Sequence, residues 1–346
     1  MTAVRPKKIA WWALAAALIA FHGAICLAGF FAPYDPAAQN RGLPFAPPAR
    51  IHLLGAEGGI RLRGFVYPVL CGADAGGCLE DTRRSYPVRF FVTGNPYRML
   101  GLFPSRLHLF GVDEQARIFL LGADDLGRDR FSRFLYGGQI SLLAGLLAAV
   151  LSLALGLALG AAAGYWGGWQ DETIMRTAEI FLALPWIYLL FAVRAFLPLS
   201  LDPEQAFLAL VVVIGGAGWA RPGRLVRGVA LSAKESAYVE AARGFGAGGF
   251  YLLRKHILPE IYGVALTQAA LLMPRYIMAE ITLSFLGLGV GEPSASWGNL
   301  LSPLRQVQVL VSYPWMGWPL AILAPLFLAY SLLADAIHTR YGSRTL

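Results

Sequence analysis

Charge is what this chain has least of. Asp, Glu, Lys and Arg make up 14% of its 346 residues, where a soluble domain of this size carries about a quarter. The deficit falls in blocks, as membrane spans do and a soluble core does not. Lysine is nearly missing too, since 25 of the 29 basic residues are arginine. Those arginines sit in the loops between apolar spans, so headgroup contact and cytoplasmic orientation explain the net charge of +8 better than nucleic acid does. There is no GxxxxGK[ST] run, and the glycine-rich pieces GYWGGW and GFGAGGF lack the lysine, so no ATP site is expected on this chain. The five histidines (His22, His52, His108, His256 and His338) are scattered over separate segments, which leaves no nucleophile–base arrangement and no metal site. His22, inside an apolar run, reads as a packing residue rather than a proton relay. An enzyme is not expected.

Cysteine is scarce, with three in all. Cys26 lies in the first apolar run and reads as a small packing residue. Cys71 and Cys78 frame CGADAGGC in a long hydrophilic loop, and six intervening residues allow a disulfide if that loop is extracytoplasmic. A metal site there would need further ligands, and only His52 and the more distant His108 are at hand.

Six long apolar segments are present, at about 9–31, 139–165, 173–197, 206–220, 262–288 and 315–337. The first follows the basic MTAVRPKK and is too long for a signal-peptide core of roughly 7–15 residues, so it reads as a retained anchor. The second, rich in Gly and Ala, suits close helix packing in lipid. Pro185 interrupts the third, and Arg194 near its end can snorkel. The fourth is short and must run on into GWARPGRLVR or tilt little. Placing the N-terminus inside puts GGWQDETIMR, the basic loop 221–260 and the tail HTRYGSRTL inside as well. The short outer loops then carry only Arg305 as a basic residue, as the positive-inside rule requires. The expected fold is an all-α integral membrane protein of six transmembrane helices. Its expected division is an N-terminal segment with the first anchor (1–32), an extracytoplasmic insert (33–138) and a core of five helices (139–346), with both termini cytoplasmic.

The cytoplasmic loop carries the most specific signal. Residues 236–243 are good helix formers, Gly246, Gly248 and Gly249 break the run, and 250–257 reads as a second short helix ended by Pro259. By itself this is an amphipathic surface connector or a docking site. Its residues, however, resemble the EAA motif of permease subunits of ATP-binding cassette importers: Glu240-Ala241-Ala242, three residues, Gly246, then Leu258-Pro259. RKHILPE, with His256, resembles the dipeptide/oligopeptide/nickel branch. LLGADDLGRDRFSRFLYGGQISL (120–142), GYWGGWQDETIMR (164–176), EITLSFLGLG (280–289) and SWG (296–298) resemble that branch too. Ala123, Gln139 and Glu179 depart from its usual threonine, arginine and aspartate, and the loop at about 40–119 is longer than in typical members.

The resemblance implies the MetI-like type I importer fold in a bacterial inner membrane. It implies a translocation path shared with a second homologous permease, two separate ATPase subunits that hold ATP and Mg, and an extracytoplasmic solute-binding protein. It implies an ATPase-coupling segment made of Glu240, Ala241, Ala242, Arg243, Gly246, His256, Leu258 and Pro259. Arg243, Arg254 and Lys255 are expected to meet acidic rims or lipid. Arg275 and Glu280, charged groups within a span, are a candidate gate or inter-subunit pair. Five residues apart on a helix, they differ by about 140° and are poor partners for each other. The alternatives are a secondary carrier or channel not driven by ATP, and a membrane-anchored protein whose long loop is the working part. The substrate, whether dipeptides, oligopeptides, nickel complexes or other small solutes, is not legible.

Overall fold

The structure is a computed structural model that describes residues 8–54, 60–72, 77–113, 115–195, 198 and 202–341. The side chains of Arg194 and His338, the outermost residues of the loop LSLDPEQ and the end of the tail lie outside the described residues. In chain order, α1 (Lys8–Cys26) and the one-turn α2 (Ala28–Phe31) come first. Seven strands follow: β1 (His52–Leu54), β2 (Ile60–Val66), β3 (Val69–Gly72), β4 (Gly77–Glu80), β5 (Tyr86–Pro87), β6 (Arg89–Met99) and β7 (Phe103–Gly111). Next are α3 (Arg130–Trp166), α4 (Gly168–Ala183), α5 (Trp186–Ala195), α6 (Pro203–Gly218), α7 (Ala220–Lys234), α8 (Ala237–Gly244) and α9 (Gly249–Leu252). A π-helical turn (Leu253–Ile257) leads into α10 (Leu258–Phe285), and α11 (Trp297–Leu301), α12 (Val307–Ser312) and α13 (Trp318–Tyr341) complete the order.

Two sequence expectations need correction, and two others take definite form. The chain is not all-α: β1, β2 and β5 form one antiparallel sheet, and β3–β4 and β6–β7 are separate antiparallel pairs. These segments are too short and too polar to score as spans, but PVRFFVTG and RLHLFG are rich in the aromatic and β-branched residues that strands favour. The interruption expected at Pro185 is a sharp break, with α4 and α5 bent by 97° at Leu184-Pro185. Leu184 takes the extended conformation that a following proline favours. The loop 221–260 begins as a helix, α7, bent only 40° from α6, so the short fourth segment does run on into ARPGRLVR. Finally, Pro259 does not stop a helix. Leu258 N–H reaches back to Leu253 O across the π turn, so Pro259 enters the first turn of α10, where its missing N–H interrupts no regular bond. Among the described residues, α3, the run Gly249–Phe285 and Pro314–Asp335 are each long and apolar enough to cross a membrane, and counting each bent pair as one span gives five.

The chain forms two compact units interleaved in sequence. One comprises residues 1–14, 142–283 and 327–346, the other 15–141 and 284–326. In the first, Gly156, Gly160 and Gly164 line one face of α3 at helical spacing and let α7 approach closely. A Cβ at Gly160 would stand 2.3 Å from Gly223 O, and one at Gly164 2.7 Å from the Ala230 Cβ. Beyond that seam Ala161, Val226, Ala230, Ala233, Ile257 and Ile261 make a buried cluster. In the second unit, Trp297 is fully buried, stacks on Phe134 at 5.7 Å and donates to Phe134 O at 3.0 Å. Val66, Phe110, Ala116 and Ile118 form the core beneath the strands.

Candidate functional site

Ser236 is extended and starts α8, which carries the Glu-Ala-Ala residues. Glu240 falls in its first turn, where a carboxylate suits the positive end of the helix. The helix ends in a Schellman motif: Gly246 N–H donates to Arg243 O at 2.9 Å and Ala247 N–H to Ala242 O at 3.0 Å. That geometry needs a left-handed residue at position 246, where φ is +86°. The interval from Ala242 to Gly246 is therefore set by hydrogen bonding, because the glycine must stand one residue past the C-cap of a two-turn helix.

Only one side of this segment is tied down. Val239, Leu252 and Ile257 are buried, and Ile257 joins the cluster formed with α3 and α7. Glu240, Ala241, Arg243, Arg254, Lys255 and Pro259 are exposed. Phe245 is 93% exposed and Phe250 75%, an unusual amount of bare aromatic surface beside small residues. Ala242, Gly246 and His256 line one shallow concavity of about 520 Å³ together with Phe245 and Tyr251. His256 lies between the rings of Tyr238 and Tyr251, each 5.8 Å away, and the Tyr238 hydroxyl donates to Glu260 at 3.2 Å. The structure thus brings Ala242, Gly246 and His256 together, turns Glu240, Ala241 and Arg243 outward, and uses Leu258 and Pro259 as the entry to α10.

Arg275 and Glu280 do not face each other. Glu280 is fully buried on α10, whereas Arg275 is half-buried with its guanidinium 5.0 Å over the Trp186 ring. Arg275, Arg221 and Arg224 line a cavity of about 690 Å³ at the breaks between α4 and α5 and between α6 and α7. Trp186 also stacks on Tyr276, whose hydroxyl shares a 2.7 Å hydrogen bond with Ser152 on α3. Cys71 and Cys78 sit opposite each other on β3 and β4 and are joined in a disulfide.

Two constellations were not singled out from the sequence. Arg227 on α7 grips Asp171 on α4 with two donors, Nε to Oδ1 and Nη2 to Oδ2, the latter at 2.6 Å. In the other unit, buried Arg128 donates to Asp124 at 2.7 Å and to Glu292 at 2.6 Å, and Arg133 donates to Glu292 at 2.8 Å. Beside them Asp129 caps α3, accepting from the Ser132 N–H at 2.8 Å and hydroxyl at 2.5 Å, and Arg130 donates to Met316 O at 2.8 Å. Burial pushes the Asp129 carboxyl up to about 6 against the pull of the Ser132 hydrogen bonds. The signal was the density of charge in GADDLGRDRFSR, too many ionisable groups to leave unpaired beside an apolar helix.

Comparison with known proteins covers the same segments. The family model for the binding-protein-dependent transport system inner membrane component matches residues 156–346, a stretch that includes α8 and the concavity. An oligopeptide transport system permease protein of Escherichia coli (strain K12) is 38% identical over 219 residues, 63% of this chain and 70% of that one. The oligopeptide transport system permease protein of Bacillus subtilis (strain 168) is 36% identical over 63% of this chain and 69% of its own length. The dipeptide counterpart from the same organism is 34% identical over 63% and 66%.

Proposed function

Because the chain belongs to the family of binding-protein-dependent transport system inner membrane components, we propose that it is one permease subunit of an ATP-driven importer of peptides or related small solutes. It pairs with a second, homologous permease to form the path, receives solute from an extracytoplasmic binding protein, and is driven by two separate ATPase subunits. ATP and Mg belong to those subunits, and this chain transports rather than catalyses. It crosses the inner membrane several times with both termini in the cytoplasm.

The observation that carries this reading is the two-sidedness of the segment 236–260. Its outer side offers small residues and bare aromatics around a shallow concavity, a form that accepts another protein's groove better than water. Its inner side is locked by Val239, Leu252 and Ile257, and it runs through the π turn into α10 as one apolar helical run from Gly249 to Phe285. A displacement applied to α8 therefore reaches α10, α7 and α3 through close-packed side chains, which transmit strain because they have little free volume. The arginine-lined cavity at the two helix breaks suits a passing carboxylate, the group that every peptide carries.

Cross-linking tests the coupling directly. With Cys26 replaced by serine, an Ala241→Cys chain assembled with its ATPases should be captured on an ATPase subunit by a short thiol cross-linker, with a yield that changes on adding ATP. Assembly without such capture would sink the assignment of α8.

A further inference from the structure

Neither the transport reading nor the family match uses the β6–β7 hairpin, which lies wholly ahead of residue 156. Its turn is apolar from end to end. Met99 pairs with Phe103 across the loop Leu100-Gly101-Leu102. Leu100 is 56% exposed, Leu102 74% and Phe103 63%. Arg98 and Arg106 flank this tip, both exposed, and no acidic residue lies between positions 82 and 112.

The root of the hairpin fixes its direction. His108, level with Val92, donates from Nδ1 to Ala32 O at 2.6 Å, at the end of α2. Tyr97, level with Ser105 and so nearer the tip, lies over Gly29, where a Cβ would stand 2.1 Å from the Tyr97 ring. Moving toward the tip along the hairpin thus means moving from Ala32 back to Gly29, toward Cys26 and the end of the apolar helix α1. Gly101 follows Tyr97 by four residues, about 13 Å of strand at roughly 3.3 Å each. Where α1 is in the bilayer, that reach covers the polar layer beside its end, which is on the order of 5–8 Å deep.

We propose that the β6–β7 tip is a membrane-interface anchor. Leu100, Leu102 and Phe103 enter the edge of the acyl region on the side where α1 ends, and Arg98 and Arg106 engage lipid phosphates. An apolar tip between two arginines fits a surface that is greasy below and anionic above. The proposal needs α1 in the membrane and does not depend on what the chain transports.

The test uses the full-length protein with Cys26→Ser and Leu102→Cys, labelled at position 102 with an environment-sensitive fluorophore. The exposure of Leu102 makes this replacement tolerable to the fold. In vesicles of phosphatidylcholine and phosphatidylglycerol, the emission should be blue-shifted from its value in water. Lipids brominated near the headgroup end of the acyl chain should quench it more strongly than lipids brominated near the chain end. Adding Arg98→Glu and Arg106→Glu should weaken this quenching severalfold in the anionic vesicles. Water-like emission untouched by either lipid overturns the proposal. So does a blue shift that appears only when a partner permease or binding protein is added, since the tip would then be a protein contact.

Discussion

Gly246 shows how much one residue carries. Its φ of +86° closes the Schellman motif, and a Cβ there would meet nothing within 4 Å, so an alanine suffers only the strain of left-handed backbone. That strain is about 1 kcal/mol, and a β-branched residue suffers more. Gly246→Ala should speed amide exchange in α8 roughly fivefold and Gly246→Val by more, and unchanged protection would contradict the cap. Asp129 provides a test by pH. Its carboxyl titrates near 6 in the folded protein and near 3.8 when unfolded, so the folded state holds the proton more tightly. The stabilisation is therefore complete below about pH 4 and is lost as pH rises through 6, at most about 3 kcal/mol. Asp129→Asn keeps an acceptor for the cap without the titration. The melting temperature of wild type relative to this variant should therefore fall between pH 4 and 7, and a flat difference would refute the assignment. Position 246 was legible in the sequence because its spacing follows from backbone hydrogen bonding. Asp129 was not, because its shift depends on burial that only the folded chain produces.

Among the elements, the proposed coupling through α8 depends on the close-packed seam between α3 and α7. Gly160→Val puts a side chain into Gly223 O and Val226 and should cost about 1–3 kcal/mol or more of stability. Gly228→Ala, on α7 with open space at its Cβ, should be neutral or stabilising by up to about 1 kcal/mol. Equal effects in thermal melts would mean that the seam is not close-packed. The glycine run of α3, the proline break before α5 and the run-on from α6 into α7 were all readable, because backbone chemistry dictates each. The strands were missed because short, largely exposed strands leave a weaker trace than apolar spans, and the register shift between Thr93 and Tyr97 breaks the alternation in β6. Pro259 misled because a proline stops a helix only where its N–H was needed.

At the scale of the whole molecule, the proposed role is that of a passive mover, in which ATP hydrolysed elsewhere drives the path through α8. The candidate coupling residues were recognisable one by one, but their division into an outward face and a buried root came only from the fold. The decisive measurement is ATP-dependent peptide uptake into vesicles holding the full assembly, with wild-type chain or Ala242→Trp. The tryptophan fills the concavity beside Gly246 and His256 without touching the buried cluster. The expected result is an assembled complex whose ATP-dependent uptake drops by at least about tenfold, equivalent to roughly 1.4 kcal/mol of lost coupling. Uptake at the wild-type rate by the assembled variant would contradict it.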